Sequence, residues 1–307
     1  MFDAVGFGAL NLDKVYLVNR IAGLGEESFI TGCHESCGGS AANTITALAR
    51  AGLSTGYIGK VADDREGRLL LNDFEENLVD VRGVAVADEG RSGVVMAFVD
   101  PRGERALYVD PGVNDTLTRE DVDMEYASST KLIHLTSFVG DKPLEAQIEL
   151  LRELRKSKEV MVSLDPGEIY ARRCEAIKPL LEGTDILILN ETEVRLLTGL
   201  DFREGAEALL KLGPRIIVVK LGGRGSYATD GKQRLHVNAL KARVVDTTGA
   251  GDAFNAGFLY ATLKGLALMD RLKLASFTAA KCIEKMGARN GLPTKEDIEA
   301  FVKTLKR

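Results

Sequence analysis

One short stretch of the chain holds the residue types most suited to chemistry, Asp246-Thr247-Thr248-Gly249-Ala250-Gly251-Asp252-Ala253-Phe254. Its glycines predict a tight turn, and the helix formers that follow predict that a helix begins there. The first amides of a helix lack intrahelical partners and, together with the helix dipole, favour an anion. Asp252 could accept the proton of a hydroxyl that attacks a phosphoryl group beside it. The alternative for this stretch alone is a capped helix after a glycine turn.

Further polar side chains are expected where strands end, which is where α/β folds bind their ligands. The candidates are Asn11 and Asp13 after the first strand, Asn190 and Glu193 after 185–189, and Lys220, Gly222 and Gly225 after the strand that ends at 219. Glu193 could hold Mg²⁺ through water, and Lys220 could supply positive charge to a phosphorylated ligand. The ordinary alternatives are a solvated turn aspartate, a glutamate that complements a helix dipole and a β-turn.

A glycine-rich segment, Gly38-Gly39-Ser40-Ala41-Ala42-Asn43, is expected to open the first helix. Its small residues would let a ligand approach the backbone, and the Asn43 amide could donate to and accept from a hydroxylated ligand. The loop Gly287-Ala288-Arg289-Asn290-Gly291 ends the penultimate helix, and its carbonyls could face a cation or form only a C-cap. Gly6-Phe7-Gly8 is similar to the start of a dinucleotide fingerprint, but Asn11 takes the place of the third glycine, which disfavours that interpretation.

The elements that must position these side chains alternate regularly after Asp110. Strands are expected at 131–135, 160–164, 185–189 and 215–220, and helices from 118 and at 143–156, 171–181, 191–198, 203–212, 250–264, 270–285 and 295–306. An earlier strand is expected at 3–10, and an extended segment at 243–245. The alternation predicts an α/β fold with a mainly parallel sheet covered by helices on both faces.

A hairpin is predicted from 93–99 and 105–109, because Asp100-Pro101-Arg102-Gly103 between them is a turn signal. Together with the extended stretch at 28–35 it would form a small separate sheet. Such a flap could cover a site and exclude water. The alternative is an ordinary edge of the main sheet.

The composition narrows the possible functions. The 307 residues are 45% hydrophobic and 28% charged, with a formal net charge of −5, which argues against a general nucleic-acid-binding protein. No stretch is apolar enough to span a membrane and the start lacks the basic region of a signal peptide, so we expect a cytoplasmic protein. The cysteines at 33, 37, 174 and 282 do not match a zinc-binding spacing and are expected to be reduced thiols.

Several of these motifs agree in order and spacing with one family. The segment from Gly38 to Asn43, continued to Asp63 and Gly67, resembles the first signature of the ribokinase-like (PfkB) carbohydrate kinases, and Asp246–Phe254 resembles the second. Asn190-x-x-Glu193 resembles the family's Asn-x-x-Glu motif. The glycine loop after Lys220 resembles its nucleotide-side loop, and Asn11-x-Asp13 its N-terminal substrate aspartate. The resemblance extends over nearly the whole chain.

The resemblance implies one doubly wound α/β domain over 1–307, with a β lid formed by about 14–36 and 91–112. It also implies transfer of the γ-phosphoryl group of ATP to an alcohol. By this resemblance Asp252 is the base, and the amides of Gly249, Ala250 and Gly251 form the anion hole. The remaining roles are substrate binding by Asn11, Asp13, Gly38, Gly39 and Asn43, nucleotide binding by Asn190, Lys220, Gly222, Gly225 and Thr248, and Mg²⁺ binding through water by Glu193.

The family also implies a K⁺ site at Asp246 and Thr248 with carbonyls near Cys282, Lys285 and Gly287. Here Gly291 stands where some members have a hydroxyl, which puts activation by a monovalent cation in doubt. Thr136 and Ser137 stand where ribokinases proper place a glutamate, which disfavours ribose as the acceptor. The open acceptors are nucleosides, fructose, ketodeoxy acids and phosphorylated sugars. A phosphorylated acceptor would need a basic cluster near Asp13, for which Arg20, Lys60 and Arg105 are the candidates.

Two other classes of function remain open, a nicotinamide dehydrogenase and a catalytically silent binding relative. The intact glycine turn and Asp252 argue against a silent relative. The expected partners are a small sugar or nucleoside and ATP, with neither nucleic acid nor membrane. A homodimer through the lid is also expected, because an apolar two-sided flap needs covering.

Overall fold

The structure, a computed structural model, describes residues 1–157 and 159–305. The expected domain range 1–307 and the expected end of the last helix at 306 include Lys158, Lys306 and Arg307, which lie outside the described residues. In the part of the chain that is described, no helix combines the length and the apolar character needed to cross a membrane.

Strands of two sheets run through the described chain. They are β1 (Phe2–Phe7), β2 (Asn11–Val18), β3 (Ile30–Gly38), β4 (Thr55–Ala62), β5 (Val79–Asp80), β6 (Val84–Ala87), β7 (Gly93–Val99), β8 (Arg105–Asp110), β9 (Thr130–Thr136), β10 (Met161–Asp165), β11 (Ile186–Asn190), β12 (Ile216–Lys220), β13 (Ser226–Thr229) and β14 (Arg234–Val237).

The larger sheet has ten strands in the order β14-β13-β12-β11-β10-β9-β1-β4-β5, with β6 also paired to β4. All its pairings are parallel except β12 with β13 and β13 with β14, which are antiparallel. After β1 the chain adds β4 on one side and later returns to add β9 on the other. The topological switch point therefore lies beside β1, where open α/β sheets bind ligands.

Helices cover both faces of this sheet. They are α1 (Ser40–Arg50), α2 (Arg65–Glu76), α3 (Met124–Ser128), α4 (Asp141–Ser157), α5 (Gly167–Ala171), α6 (Lys178–Glu182), α7 (Glu191–Thr198), α8 (Phe202–Leu210), α9 (Ala250–Leu263), α10 (Leu268–Cys282) and α11 (Lys295–Leu305). One hydrophobic core joins the sheet to α3–α8, and the other joins it to α1, α2 and α9–α11. The predicted α/β fold with two helical layers is confirmed.

Strand β11 illustrates why the sequence builds this arrangement. Its side chains alternate between the two cores, with Leu187 and Leu189 in one and Ile186 and Ile188 in the other. Successive side chains of a strand point to opposite faces, so an unbroken apolar run requires both faces to be covered. The strand ends at the polar residue Asn190, which lies at the rim of the sheet.

The smaller sheet, which we call the lid, has the order β3-β2-β7-β8. The predicted β7–β8 hairpin is present, and β2 pairs in parallel with β7. Asn114 fixes the base of the lid: its amide exchanges hydrogen bonds with the backbone of Leu10 (2.8 and 3.0 Å) and donates to Asn11 Oδ1 (3.1 Å). One side chain thus joins the chain that enters β2 to the chain that leaves β8.

Several expected elements differ from the structure. The first strand ends at Phe7, and Asp13 belongs to lid strand β2 rather than to the turn after β1. The helix expected at 171–181 is replaced by α5 and α6, with Pro179 in the first turn of α6, where its missing N–H does no harm. The helix expected from 118 is a 3₁₀ turn followed by the short helix α3.

Two further differences follow the glycine loop after Lys220. The hairpin β13–β14 continues the main sheet there, although its short polar strands gave no clear sequence signal. No strand forms at 243–245, where Val244 and Val245 are 63% and 47% exposed and no neighbouring strand is available for pairing.

Candidate active site

The stretch that holds Asp252 has the local geometry predicted from its sequence. Gly249 precedes α9 with a positive φ of 76°, and a Cβ there would come within 2.7 Å of Ala288. Glycine is therefore required both by the left-handed backbone and by the close approach of the 287–291 loop. Asp252 lies in the first turn of α9, beside the amide of Gly251, whereas the amide of Ala250 donates to Thr247 O at 3.2 Å.

Two donors from α1 hold the Asp252 carboxylate. Ser40 Oγ donates to Oδ1 at 2.6 Å, and Asn43 Nδ2 donates to Oδ2 at 2.8 Å. Burial raises the pKa of Asp252 to about 6, although both hydrogen bonds lower it. A carboxylate with a pKa near 6 is ionised at neutral pH and is a stronger base than an exposed aspartate.

Asp252 lies between two cavities. One, of about 520 Å³, is lined by Thr247, Ala250 and Gly251 and extends over Lys220 and Gly222–Gly225 to the side chains of α10. The other, of about 190 Å³, is lined by Asn11, Gly39, Ser40, Thr136 and Ser137 and by lid residues. We call them the large and the small cavity. Gly251 borders the large cavity, and Ser40, which binds Asp252, borders the small one.

Asp13 of β2 is a further partly buried carboxylate in this region, and Asp115 lines the small cavity itself. Burial raises the pKa of Asp13 to about 6, Arg289 lowers it and the charge of Asp252 raises it. Its strand β2 pairs with β3, which ends at Gly38, and a Cβ on Gly38 would collide with the Asp13 carboxylate. Gly39 has a φ of 106°, and a Cβ there would collide with Ala9 O. Both glycines are needed so that the lid can approach the start of α1.

Lys220 provides positive charge beside the turn that precedes α9. A Cβ on Gly251 would lie 3.5 Å from Lys220 Nζ, so the ammonium group is next to the first turn of α9. Lys220 Nζ pairs with Asp165 Oδ2 at 2.5 Å, and Asn255 Nδ2 donates to the same oxygen at 2.6 Å. Burial disfavours both charges, but the pairing keeps the pKa of Asp165 below and that of Lys220 above its usual value.

Glu193 and Asn190 form a capping box at the start of α7. The Glu193 carboxylate accepts from the Asn190 amide N at 2.8 Å and from Asn190 Nδ2 at 2.7 Å. Burial raises the pKa of Glu193 to about 7, and the charge of Asp165 raises it further. Because both carboxylate oxygens already accept hydrogen bonds, this oxygen donor set suits a hydrated Mg²⁺ bound through its waters.

Asp246 connects the turn that precedes α9 to the 287–291 loop. Its Oδ1 accepts from the amide and hydroxyl of Thr248, and its Oδ2 accepts from the amide of Gly287 at 2.7 Å. Burial would raise the pKa of Asp246, but these donors hold it below its usual value. Among the described residues there is no group of three or more His, Cys, Asp and Glu side chains that could hold a metal ion.

With this geometry established, comparison with known proteins identifies the family. The pattern described as pfkB family carbohydrate kinase matches residues 1–295. The chain belongs to this family. It is therefore a phosphotransferase with an alcohol group as acceptor.

Individual relatives support this assignment. A protein of Archaeoglobus fulgidus described as an uncharacterized sugar kinase is 46% identical over 254 residues, which cover 81% of this chain and 99% of that protein. An ATP-dependent ribose-1-phosphate kinase of Halopiger xanaduensis is 31% identical over 98% of both chains. The structure of Arabidopsis thaliana ribokinase complexed with ribose and ATP is 25% identical with a TM-score of 0.87, and the match covers 98% of this chain and 99% of that one.

The kinase brings together most of the residues that its sequence singled out, around the junction of the two cavities. Sequence reasoning missed Asp165, Asn255 and Arg289, and it did not assign a separate role to Ser40. Asp165 is the last residue of β10, as Asn190 and Lys220 are the last residues of β11 and β12. The strand-end rule applied to the others would therefore have found Asp165.

The basic cluster considered for a phosphorylated acceptor does not form in the kinase. Arg20 pairs with Glu26 near the end of β2, and Lys60 Nζ pairs with Asp121 at 2.9 Å. Arg105 is exposed on β8. None of the described residues that line the small cavity is a lysine or an arginine.

Proposed function

We propose that the kinase transfers the γ-phosphoryl group of ATP, with Mg²⁺, to a hydroxyl of a sugar or sugar-like small molecule. The observation that carries this proposal is the position of Asp252, a carboxylate with a raised pKa between a large and a small cavity. A general base must reach the acceptor hydroxyl while that hydroxyl faces the transferring group, and a carboxylate beside both cavities meets this requirement.

In this proposal ATP lies in the large cavity, with its base against the apolar side chains of α9 and α10. Ser276 lines that cavity with a buried hydroxyl that has no partner among the described residues, so it is available to the nucleotide. The γ-phosphoryl group faces the amides of the turn and Lys220. Gly222 and Gly225 line the same cavity, and in this proposal Asn190 and Thr248 also contact the nucleotide.

The acceptor would occupy the small cavity with a hydroxyl against Asp252. Asp252 takes the hydroxyl proton while the oxygen forms a bond to the γ-phosphorus, the bond to the β,γ-bridging oxygen breaks, and ADP leaves. The amide of Gly251 and the ammonium group of Lys220 stabilise the charge on the transferring group, whereas the amide of Ala250 donates to Thr247 O. Asn11, Asp13 and the backbone of Gly38 and Gly39 would hold the other hydroxyls.

Mg²⁺ would be held through water near Glu193, with Asn190 and Asp165 beside it. A bound Mg²⁺ neutralises part of the phosphate charge and fixes the geometry of the phosphates. Burial, and after it the charge of Asp165, raise the pKa of Glu193, and a cation bound nearby would favour its ionised form. A K⁺ site at Asp246 and Thr248 stays a proposal, since the Asp246 oxygens already accept hydrogen bonds from the protein.

The acceptors considered are ribose, fructose, a ketodeoxy sugar acid and a nucleoside. The small cavity has one polar side and one apolar wall formed by Val95, Val109, Phe138, Val139 and Ile169. The apolar wall favours a second candidate function, a nucleoside kinase of the adenosine or cytidine type, because a nucleobase can pack against it. The absence of lysine and arginine from the described lining disfavours a phosphorylated acceptor, despite the relative that acts on ribose 1-phosphate.

A coupled assay of ADP release tests this proposal over a panel of ribose, fructose, a ketodeoxy acid, ribose 1-phosphate, adenosine and cytidine. We expect Mg²⁺-dependent turnover with one class of acceptor. Turnover of NAD(H) with the same compounds would instead favour the dehydrogenase alternative. Binding of ATP without turnover of any acceptor would favour a non-catalytic relative.

We also propose that the kinase forms a homodimer through the lid. The register places Leu107 beside Ala97 and Val15 on one face, and Leu107 and Val109 are about half exposed. A second lid packed on this face would cover these side chains. Analytical ultracentrifugation at assay concentration measures the mass, and a monomer would contradict the proposal.

A further inference from the structure

Arg289, in the loop after α10, has a buried side chain with only 8% exposure. Its guanidinium enters the space between α1 and α2, where Nη1 pairs with Asp73 and the group lies 5.9 Å from the centre of the Phe74 ring. Burial of a guanidinium is costly unless it is paired and hydrogen-bonded. The position of Arg289 between Asn43 and Asp73 therefore calls for an explanation.

A chain of hydrogen bonds leads from Arg289 to the proposed base. Arg289 Nε donates to Asn43 Oδ1 at 2.8 Å, and Asn43 Nδ2 donates to Asp252 Oδ2 at 2.8 Å. The two ends of an amide differ, because one accepts and the other donates, and a guanidinium can only donate. With Arg289 in place, the oxygen of Asn43 faces the guanidinium and its NH₂ group faces Asp252.

The contacts of Arg289 are not needed merely to hold the 287–291 loop against α1 and α2. Arg50 of α1 already does this, since its Nη1 donates to Arg289 O and its Nε donates to Asn77 Oδ1. Arg289 Nη2 is buried and has no hydrogen-bond partner among the described residues, which lowers the stability of the fold. A buried guanidinium with this cost is better explained by its effect on Asn43.

Resting on the role proposed above for Asp252, we propose that Arg289 is a positioning residue that fixes the orientation of the Asn43 amide. It acts through Asn43 and does not itself contact the acceptor. Without the guanidinium, the Asn43 oxygen loses the donor that holds it, so only the single hydrogen bond to Asp252 orients the amide and the amide can turn away from the carboxylate. The ionised base would then lose a donor, and its direction towards the acceptor hydroxyl would no longer be fixed.

Charged and titratable groups face this chain from several elements. They are Asp13 of β2, Cys37 of β3, Arg50 of α1, Tyr57 of β4, Asp73 of α2, Asp165 of β10, Lys220 of β12 and Cys282 of α10. All of them remain when Arg289 is replaced. The charge of Arg289 also lowers the pKa of Asp13, so the test must resolve Asp252 individually.

The test compares Arg289→Met, Arg289→Lys and the control Arg50→Gln in the full-length protein. The pH dependence of kcat and KM is measured by ADP release with the best acceptor. In Arg289→Met we expect kcat to fall about 10- to 100-fold, with a much smaller change in the acceptor KM. The acid limb of the pH profile of kcat should move to higher pH by about one unit, because the ionised Asp252 loses the hydrogen bond from Asn43.

A second measurement does not depend on turnover. In protein labelled with ¹³C-aspartate, the carboxyl resonance that disappears in Asp252→Asn identifies Asp252, and its titration midpoint should rise in Arg289→Met. Arg289→Lys, which keeps the charge but not the fork of donors, should fall between Arg289→Met and the unsubstituted protein. Arg50→Gln should leave both the midpoint and the acid limb unchanged, even if it lowers the melting temperature.

Two results would overturn the role of Arg289. One is an unchanged midpoint and kcat in folded Arg289→Met, and the other is an equal shift in Arg50→Gln. If no acceptor in the panel is phosphorylated, the proposed function fails, and the NMR titration still decides whether Arg289 controls the state of Asp252.

Discussion

Replacement of Asp252 by Asn separates its proposed catalytic role from its role in the fold. The two side chains have nearly the same shape, so the contacts around α9 can be kept. In Asp252→Asn, the oxygen of the introduced amide can accept from Asn43 Nδ2 while the NH₂ group of that amide donates to Ser40 Oγ, because a hydroxyl both donates and accepts. The substitution removes the negative charge and the basicity and leaves each hydrogen bond with a partner.

The expected loss of activity follows from the proposed proton transfer. With a pKa of about 6, roughly nine-tenths of Asp252 is ionised at pH 7 and available as a base. Removal of a general base typically costs about 10²- to 10⁴-fold in rate, and we expect kcat to fall within that range. Below pH 6 the kcat of the unsubstituted kinase should fall about tenfold per pH unit as Asp252 becomes protonated.

The expected effect on stability has the opposite sign. The fold raises the pKa of Asp252 from 3.8 to about 6, so the folded protein binds this proton more tightly than the unfolded chain does. The resulting stabilisation is complete below about pH 4 and is lost as the pH rises through 6. At pH 7.5 the ionised carboxylate therefore lowers the free energy of unfolding by up to about 3 kcal/mol relative to acid pH, and the uncharged amide in Asp252→Asn lacks this effect.

Thermal and urea unfolding at pH 4.5 and pH 7.5 measure the stability, and ADP release under the same conditions measures the rate. We expect Asp252→Asn to be more stable than the unsubstituted protein at pH 7.5, with a smaller difference at pH 4.5. A variant that keeps near-normal turnover would remove Asp252 from its role as base. A variant that is destabilised equally at both pH values would refute the argument from burial.

Three further changes test other parts of the site. Lys220→Met should lower the free energy of unfolding by about 3–5 kcal/mol, because it leaves Asp165 buried without its cation. Urea unfolding measures this, and adding Asp165→Asn should restore stability but not turnover, whereas an unchanged single variant would contradict the pairing. Glu193→Gln should raise the Mg²⁺ concentration for half-maximal ADP release about 10- to 100-fold, and an unchanged value would place the metal elsewhere. Leu107→Asp should convert the lid dimer to monomers in sedimentation experiments, and a dimer that persists would move the interface away from this face.

The main sheet and the turn before α9 could be predicted because their signals are local. Apolar runs such as Ile186–Leu189 fix a buried strand, and Gly249 fixes a turn whose positive φ disfavours any other residue. The elements that were predicted wrongly depend instead on contacts with segments distant in the sequence. Val244 and Val245 have a high preference for strands but find no strand to pair with, and β13–β14 forms because the edge of β12 is available.

The residues of the candidate site likewise fall into those that a local sequence pattern marks and those that it does not. Asp252, Glu193 and Lys220 stand in patterns that span a few residues, so the sequence alone singles them out. The contact between Arg289 and Asn43 joins positions 246 residues apart, and no local pattern carries it. Asp165 lies between these cases, since its strand end was visible but its partner Lys220 becomes evident only when β10, β11 and β12 lie side by side.

The double hydrogen bond of Asn114 to Leu10 has a consequence for how this molecule can diversify. It ties the chain that enters β2 to the chain that follows β8, so the base of the lid is fixed at the rim of the sheet. Asp13 lies two residues beyond Asn11 and in register with Val95 and Val109 of the cavity wall, whereas Leu107 and the turn at 100–103 lie farther from that anchor. New subunit contacts can therefore evolve at the outer turn of the lid while the residues around Asp13 stay in register.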